Sequence, residues 1–151
     1  MSTRRKLPIG IQTFREIRDK GHYHVDKTPL IPKLVEGGKY YFLSRPRRFG
    51  KSLLLDTIAE AFAGHRALFD GLRNLYSVLK SKDASLKFVM LVGVSKFSKL
   101  SIFSGLNNLS DITLDRRFAT ICGHTESDVD TVFAPELEGL DRNQIRHWYD
   151  G

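Results

Sequence analysis

Residues 50–52 read Gly-Lys-Ser, a run whose types and order suit phosphate chemistry. A glycine lets the main chain approach an anion with no Cβ in the way. A lysine directly after it brings a mobile ammonium to the β- and γ-phosphates of a triphosphate, and the hydroxyl of Ser52 can ligate Mg²⁺. The main-chain N–H groups of 46–51 would turn inward as an anion nest, and a helix starting at Lys51 would point its positive end at the same place. The preceding residues are Arg45, Pro46, Arg47, Arg48 and Phe49. The arginines can clamp phosphate or grip another anion, and Pro46 stiffens the run. The plainer alternative is a loop with a donor-rich helix start and solvated arginines. The usual phosphate-loop spacing, Gly-x-x-x-x-Gly-Lys-Ser/Thr, asks for a glycine at position 45, where this chain has Arg45.

Hydrolysis needs a further group: an acid at the end of an apolar strand, holding Mg²⁺ and supporting the attacking water. The apolar run Tyr40–Leu43 ends in Ser44, and Phe88–Val92 ends in Gly93. Ala67-Leu68-Phe69 does precede Asp70 but is too short for a strand. Other chemistry is poorly supported. The five histidines show no metal spacing with the single Cys122. Ser77-Val-Leu-Lys80 fits a Ser-x-x-Lys pattern but reads as a helix face without partner motifs.

The elements that must position the loop follow from pattern. Thr13-Phe-Arg-Glu16 has capping-box spacing, and Gly21 is a stop, which predicts a helix over 14–20. Thr28-Pro29 opens a second helix, which Gly37-Gly38 ends. Residues 39–43 are short and aromatic and read as a buried strand. Leu54, Ile58 and Phe62 share one face of a helix over 51–62, closed by Gly64. A further helix is predicted at 71–81, a strand at 86–92, and at 93–112 a long loop with a short helix at most. Thr125 and Asp141 are candidate caps for two short helices.

The chain has 151 residues, 41% hydrophobic and 27% charged, which suits a single globular domain. One cysteine excludes an internal disulfide, and no apolar run spans a membrane. A cytoplasmic protein is the expectation. Charge is uneven: residues 1–52 carry 13 Lys/Arg against 4 Asp/Glu, and residues 111–151 carry 4 against 9. A basic front third suits an anionic partner, nucleotide or nucleic acid.

Several long motifs resemble the AAA-ATPase-like family of prokaryotic P-loop proteins. They are Leu7-Pro-Ile-Gly10 with Phe14, Val25-Asp-Lys-Thr28, Phe42-Leu-Ser-Arg-Pro-Arg-Arg-Phe-Gly-Lys-Ser-Leu53, residues 93–113, Phe118-Ala-Thr-Ile-Cys-Gly-His-Thr125, and Trp148-Tyr149. The family's loop also reads Arg-Pro-Arg-Arg-Phe-Gly-Lys-Ser, so Arg45 is a trait of the resemblance. What the resemblance implies is ATP and Mg²⁺ binding, and placement of Asp26-Lys27-Thr28 and of the Ser- and Asn-rich run 95–108 near the nucleotide. For the first of these a helix cap is an equal alternative. Many members continue into a nuclease-like domain, and none is expected within residues 1–151. In the family, an apolar strand followed by Asp-Glu-Tyr-Asp lies between the segments resembling 62–70 and 71–92, whereas Phe69-Asp-Gly71 joins them directly here. This implies an internal deletion near 69–71. Val92 also stands where the family has Thr, a γ-phosphate sensor.

The expectation is therefore an α/β, incomplete P-loop NTPase-like fold over 1–151: a few-stranded parallel sheet flanked by helices. Its site is Arg45, Pro46, Arg47, Arg48, Phe49, Gly50, Lys51 and Ser52. It binds a nucleoside triphosphate, with Mg²⁺ on Ser52, and lacks the acid for hydrolysis. A sheet edge left bare by the missing strand would favour self-association. The alternatives are a nucleic-acid-binding module built on the basic front third, and an inactive fragment.

Overall fold

A computed structural model describes residues 4–72, 88–94 and 109–149. Its centre is a three-stranded parallel sheet flanked by helices, in the order β2-β1-β3. Strand β1 spans Tyr40–Ser44, β2 Val89–Gly93 and β3 Ser110–Asp111. The register runs from Tyr40 opposite Val89 to Ser44 opposite Gly93, and on the other side sets Tyr41 and Phe42 against Ser110 and Asp111. The two strands legible in the sequence thus pair in parallel. β3 corrects the expectation that 93–112 holds a long loop with a short helix at most. At two residues it is too short for any alternating pattern to reveal it. The predicted helix at 71–81 and the run 95–108 lie outside the described residues, apart from the turn at 71–72.

Helix α1 spans Phe14–Asp19 and buries Phe14 and Ile17 against the core. The predicted capping box does not form. Thr13 Oγ1 donates to Glu16 Oε2 at 3.4 Å, while the Phe14 N–H donates to Asp56 Oδ2 at 2.6 Å. A carboxylate from the helix Lys51–Phe62 thereby supplies the cap that the local Thr was expected to give. Gly21 ends α1 as expected, with φ 64°. The His22 N–H reaches the Ile17 carbonyl and the Gly21 N–H the Arg18 carbonyl, the paired closure that a left-handed residue permits.

Helix α2, Leu30–Gly37, faces the core with Ile31, Leu34 and Val35. Pro29 sits one position before the helix, not at its first residue. Asp26 Oδ1 accepts from the Thr28 N–H at 2.9 Å and from its hydroxyl at 2.6 Å, so this pair forms a local turn ahead of α2. The Tyr41 hydroxyl donates to the Leu34 carbonyl at 2.6 Å. A Cβ at Gly37 or Gly38 would lie 3.0 or 3.1 Å from that hydroxyl, so a side chain at either position would press on the Tyr41 ring end.

Helix α3, Lys51–Phe62, buries Leu54, Thr57, Ile58 and Ala61. A 3₁₀ turn at Arg66–Phe69 adds Leu68 and Phe69, whose ring stacks 4.8 Å from Phe14. Phe118, in the 3₁₀ turn Arg116–Phe118, and Ile121 fill the core from the C-terminal side. Helices α4 (Glu126–Val132), α5 (Ala134–Leu137) and α6 (Arg142–Tyr149) follow. Thr125 caps α4 in a full capping box with Asp128. Asp141 Oδ1 accepts the Asn143 N–H at 2.8 Å. Among the described residues no helix is long and apolar enough to cross a membrane.

Candidate functional site

The run 45–50 joins the C-terminal end of the central strand to the first residue of α3. In open parallel sheets this is the edge at which ligands bind. The Ser44 N–H donates to Thr113 Oγ1 at 3.0 Å, and the Arg45 N–H extends the ladder to the Gly93 carbonyl at 3.1 Å. The loop therefore starts from a strand tip held on both sides.

Within the loop, Arg48 and Gly50 both have left-handed φ, 64° and 77°. Glycine takes this conformation without cost, whereas a non-glycine residue there is strained. No atom lies within 4 Å of a Cβ built on Gly50, so backbone conformation, not crowding, calls for glycine. Gly50 is the N-cap of α3 and offers no side chain to its open amides. The 12-residue helix thus presents N–H groups and the positive end of its dipole at the loop. Lys51 folds back across the loop, donating from Nζ to the carbonyls of Arg45 at 2.9 Å and Pro46 at 2.7 Å. Ser52 is exposed at the second position of α3, and Pro46, Arg47, Arg48 and Phe49 are exposed as well.

Arg45 differs from its two neighbours. Its Nη1 donates to the carbonyls of Ser44 at 2.9 Å and Thr113 at 2.7 Å, and its Nη2 to Phe118 at 3.3 Å. At the other end of the loop the Phe49 carbonyl accepts the Gly123 N–H at 3.1 Å. The Phe49 ring lies 3.3 Å from where a Gly123 Cβ would be, and Gly123 has φ 79°. Residues 113–123 therefore form one wall of the loop. Thr113, Phe118 and Gly123 were singled out in the sequence through the resemblance, but no pattern there indicated that they touch the loop.

Cys122, within this wall, is partly buried. Burial pushes its thiol up, while Arg45, Lys51 and Lys27 pull the other way. Lys27 donates to Asp128 Oδ2 at 2.9 Å. Burial opposes ionisation of Asp128, but the Thr125 N–H and Lys27 outweigh it and hold the carboxyl below its usual range. His124 is pulled down by burial and then by Lys27. His24 is pulled down to about 4, chiefly by burial. Asp26, Lys27 and Thr28 thus make contacts within the protein, and Lys27 lies near enough to Cys122 to affect its thiol. No group of three or more His, Cys, Asp or Glu that could hold a metal occurs among the described residues. Of the three described strands, β1 ends in Ser44 and β2 in Gly93, and only β3 ends in an acid, Asp111, in register with Phe42. Asp111 accepts the Thr113 N–H at 2.9 Å.

Residues 8–73 match the model of a family described as predicted AAA-ATPase. An uncharacterized protein from the vnfD 5′ region of Azotobacter chroococcum mcd 1 is 39% identical over 251 residues, covering 99% of this chain and 49% of that protein. The chain therefore spans about half the length of this relative. No solved structure matches. The family match takes in α1, α2, β1, the loop and α3, and it supports the resemblance to AAA-ATPase-like proteins read from the sequence.

Proposed function

We propose that residues 45–52 form a phosphate-binding loop that takes ATP with Mg²⁺, and that the chain binds this nucleotide without hydrolysing it. The observation that carries the reading is the corner itself. A left-handed Gly50 caps α3 with no side chain, at the tip of the central parallel strand, and Lys51 arches over the loop. On binding, the triphosphate oxygens replace the Arg45 and Pro46 carbonyls as partners of the Lys51 ammonium. The amides around Gly50 face the phosphates, Ser52 ligates Mg²⁺, and the exposed Arg47 and Arg48 add positive charge at the mouth.

What speaks against hydrolysis is that β1 and β2 end without an acid, that Asp111 of β3 stops in register with Phe42, two positions before the end of β1, and that the middle of the chain reads as shortened. The relative's alignment covers 251 residues, and this chain has 151. At least 100 of the aligned positions therefore face no residue here, as an internal deletion requires. The family's acid-bearing strand belongs in the stretch that Phe69-Asp-Gly71 closes over.

A thermal melt tests binding. A ligand at a hundredfold its dissociation constant stabilises the folded state by about 2.7 kcal/mol, so Mg-ATP is expected to raise Tm by several degrees and AMP not to. Equal melts with and without millimolar Mg-ATP would reject the reading. Arg47 and Arg48 favour one rival, a nucleic-acid-binding surface. That rival predicts DNA affinity that falls steeply with salt and does not depend on Lys51.

A further inference from the structure

We propose that Arg45 is a positioning residue that locks the loop to residues 113–123, and that its guanidinium takes no part in holding the anion. The proposal rests on the reading of 45–52 as a phosphate-binding loop and assigns a separate role to the residue that stands where such loops usually have glycine.

Residue 45 bridges both neighbours of the central strand. Its main-chain N–H bonds the Gly93 carbonyl of β2. Its side chain bonds the Thr113 carbonyl just beyond β3 and the Phe118 carbonyl in the turn that follows. A guanidinium is a planar fork of five donors, and bonds to three main-chain carbonyls, including Ser44, fix its plane. Arg47 and Arg48 are exposed instead. Position 45 also has no need of glycine: among the described non-glycine residues only Arg48 has positive φ. A side chain there is tolerated by the backbone and is used as a tether.

The second tether is the Phe49 carbonyl on the Gly123 N–H. The loop is thus tied to one segment near its start and near its end, with Arg47 and Arg48 between the ties. Such a loop is ordered before ligand arrives, which lowers the entropy lost on binding. Removing the guanidinium leaves the Thr113 and Phe118 carbonyls without this donor and frees the loop's first turn.

The test compares Arg45→Ala, Arg45→Gly and Arg47→Ala with the wild type, by Mg-ATP titration at several ionic strengths and by amide exchange at Gly123 without ligand. Arg45→Ala and Arg45→Gly are expected to weaken Mg-ATP binding roughly tenfold, the ratio for one charge-assisted hydrogen bond. They should keep the wild-type dependence on ionic strength and speed exchange at Gly123. Arg47→Ala, which removes a cation facing the anion, should flatten the ionic-strength dependence. The proposal is overturned if Arg45→Ala flattens that dependence as Arg47→Ala does, if Arg45→Gly binds as well as the wild type, or if Gly123 exchange does not change. Should Arg45→Ala not fold, Arg45→Lys carries the same readouts, since one ammonium cannot serve three separate carbonyls in the fork's geometry. Absence of Mg-ATP binding by the wild type would defeat the phosphate reading itself. Exchange at Gly123 in Arg45→Lys would then decide the locking role alone.

Discussion

The four cations of the loop have three different surroundings. Lys51 lies on loop carbonyls, Arg45 is bound to the wall, and Arg47 and Arg48 face solvent. The sequence makes Lys51 and Gly50 legible because their spacing from a strand and a helix start carries the physics. It does not separate Arg45 from its neighbours, because the partners that do so are main-chain carbonyls about 70 residues further on. His24 was equally silent in the sequence. Its ring packs edge-on to Phe14 at 5.3 Å, and its Nδ1 is buried without a hydrogen-bond partner among the described residues. Burial lowers its pKa from 6.5 to about 4, with Arg18, His124 and Lys27 opposing the proton and Asp26 favouring it. Between these values the unfolded chain binds more protons than the folded one, so stability is full above pH 6.5 and declines as pH falls towards 4. The span corresponds to about 3 kcal/mol. Urea unfolding from pH 7 to 4.5 should show this decline, and His24→Phe, which keeps an aromatic ring against Phe14, should remove most of it. An identical decline in both proteins would contradict the assignment.

At the scale of elements, the predicted helices and strands within the described residues fall close to their expected bounds, because glycines and apolar spacing set them locally. Where the reading failed, a tertiary contact had replaced a local one. The cap of α1 is Asp56, 42 positions beyond Phe14, and β3 exists only because β1 offers it an open edge. The difference is measurable. Asp56→Ala should cost about 1 kcal/mol of stability, a typical value for a lost N-terminal cap, whereas Thr13→Ala should cost far less. Denaturant midpoints that rank the two variants the other way would restore the local capping box.

At the scale of the molecule, the uneven charge has an internal use as well as an external one. Lys27 of the basic front pairs with Asp128, and the Tyr23 hydroxyl donates to Glu136 Oε1 at 3.1 Å. The acidic C-terminal part thus docks on the N-terminal segment while it also walls the loop. Composition showed the asymmetry but not that the two regions meet. Among the described residues β2 pairs with β1 alone, and Val89 and Val94 are 39% and 52% exposed. Under the proposed internal deletion near 69–71, this is the edge that would lack a strand.

The proposed nucleotide binding depends on main-chain amides and one ammonium receiving a triphosphate at Gly50-Lys51-Ser52. Calorimetric titration of Mg-ATP into the wild type and into Lys51→Ala tests this most directly. Binding by the wild type, weakened at least tenfold in a Lys51→Ala protein that melts as the wild type does, is the expected result. Equal affinity in the two proteins would contradict it.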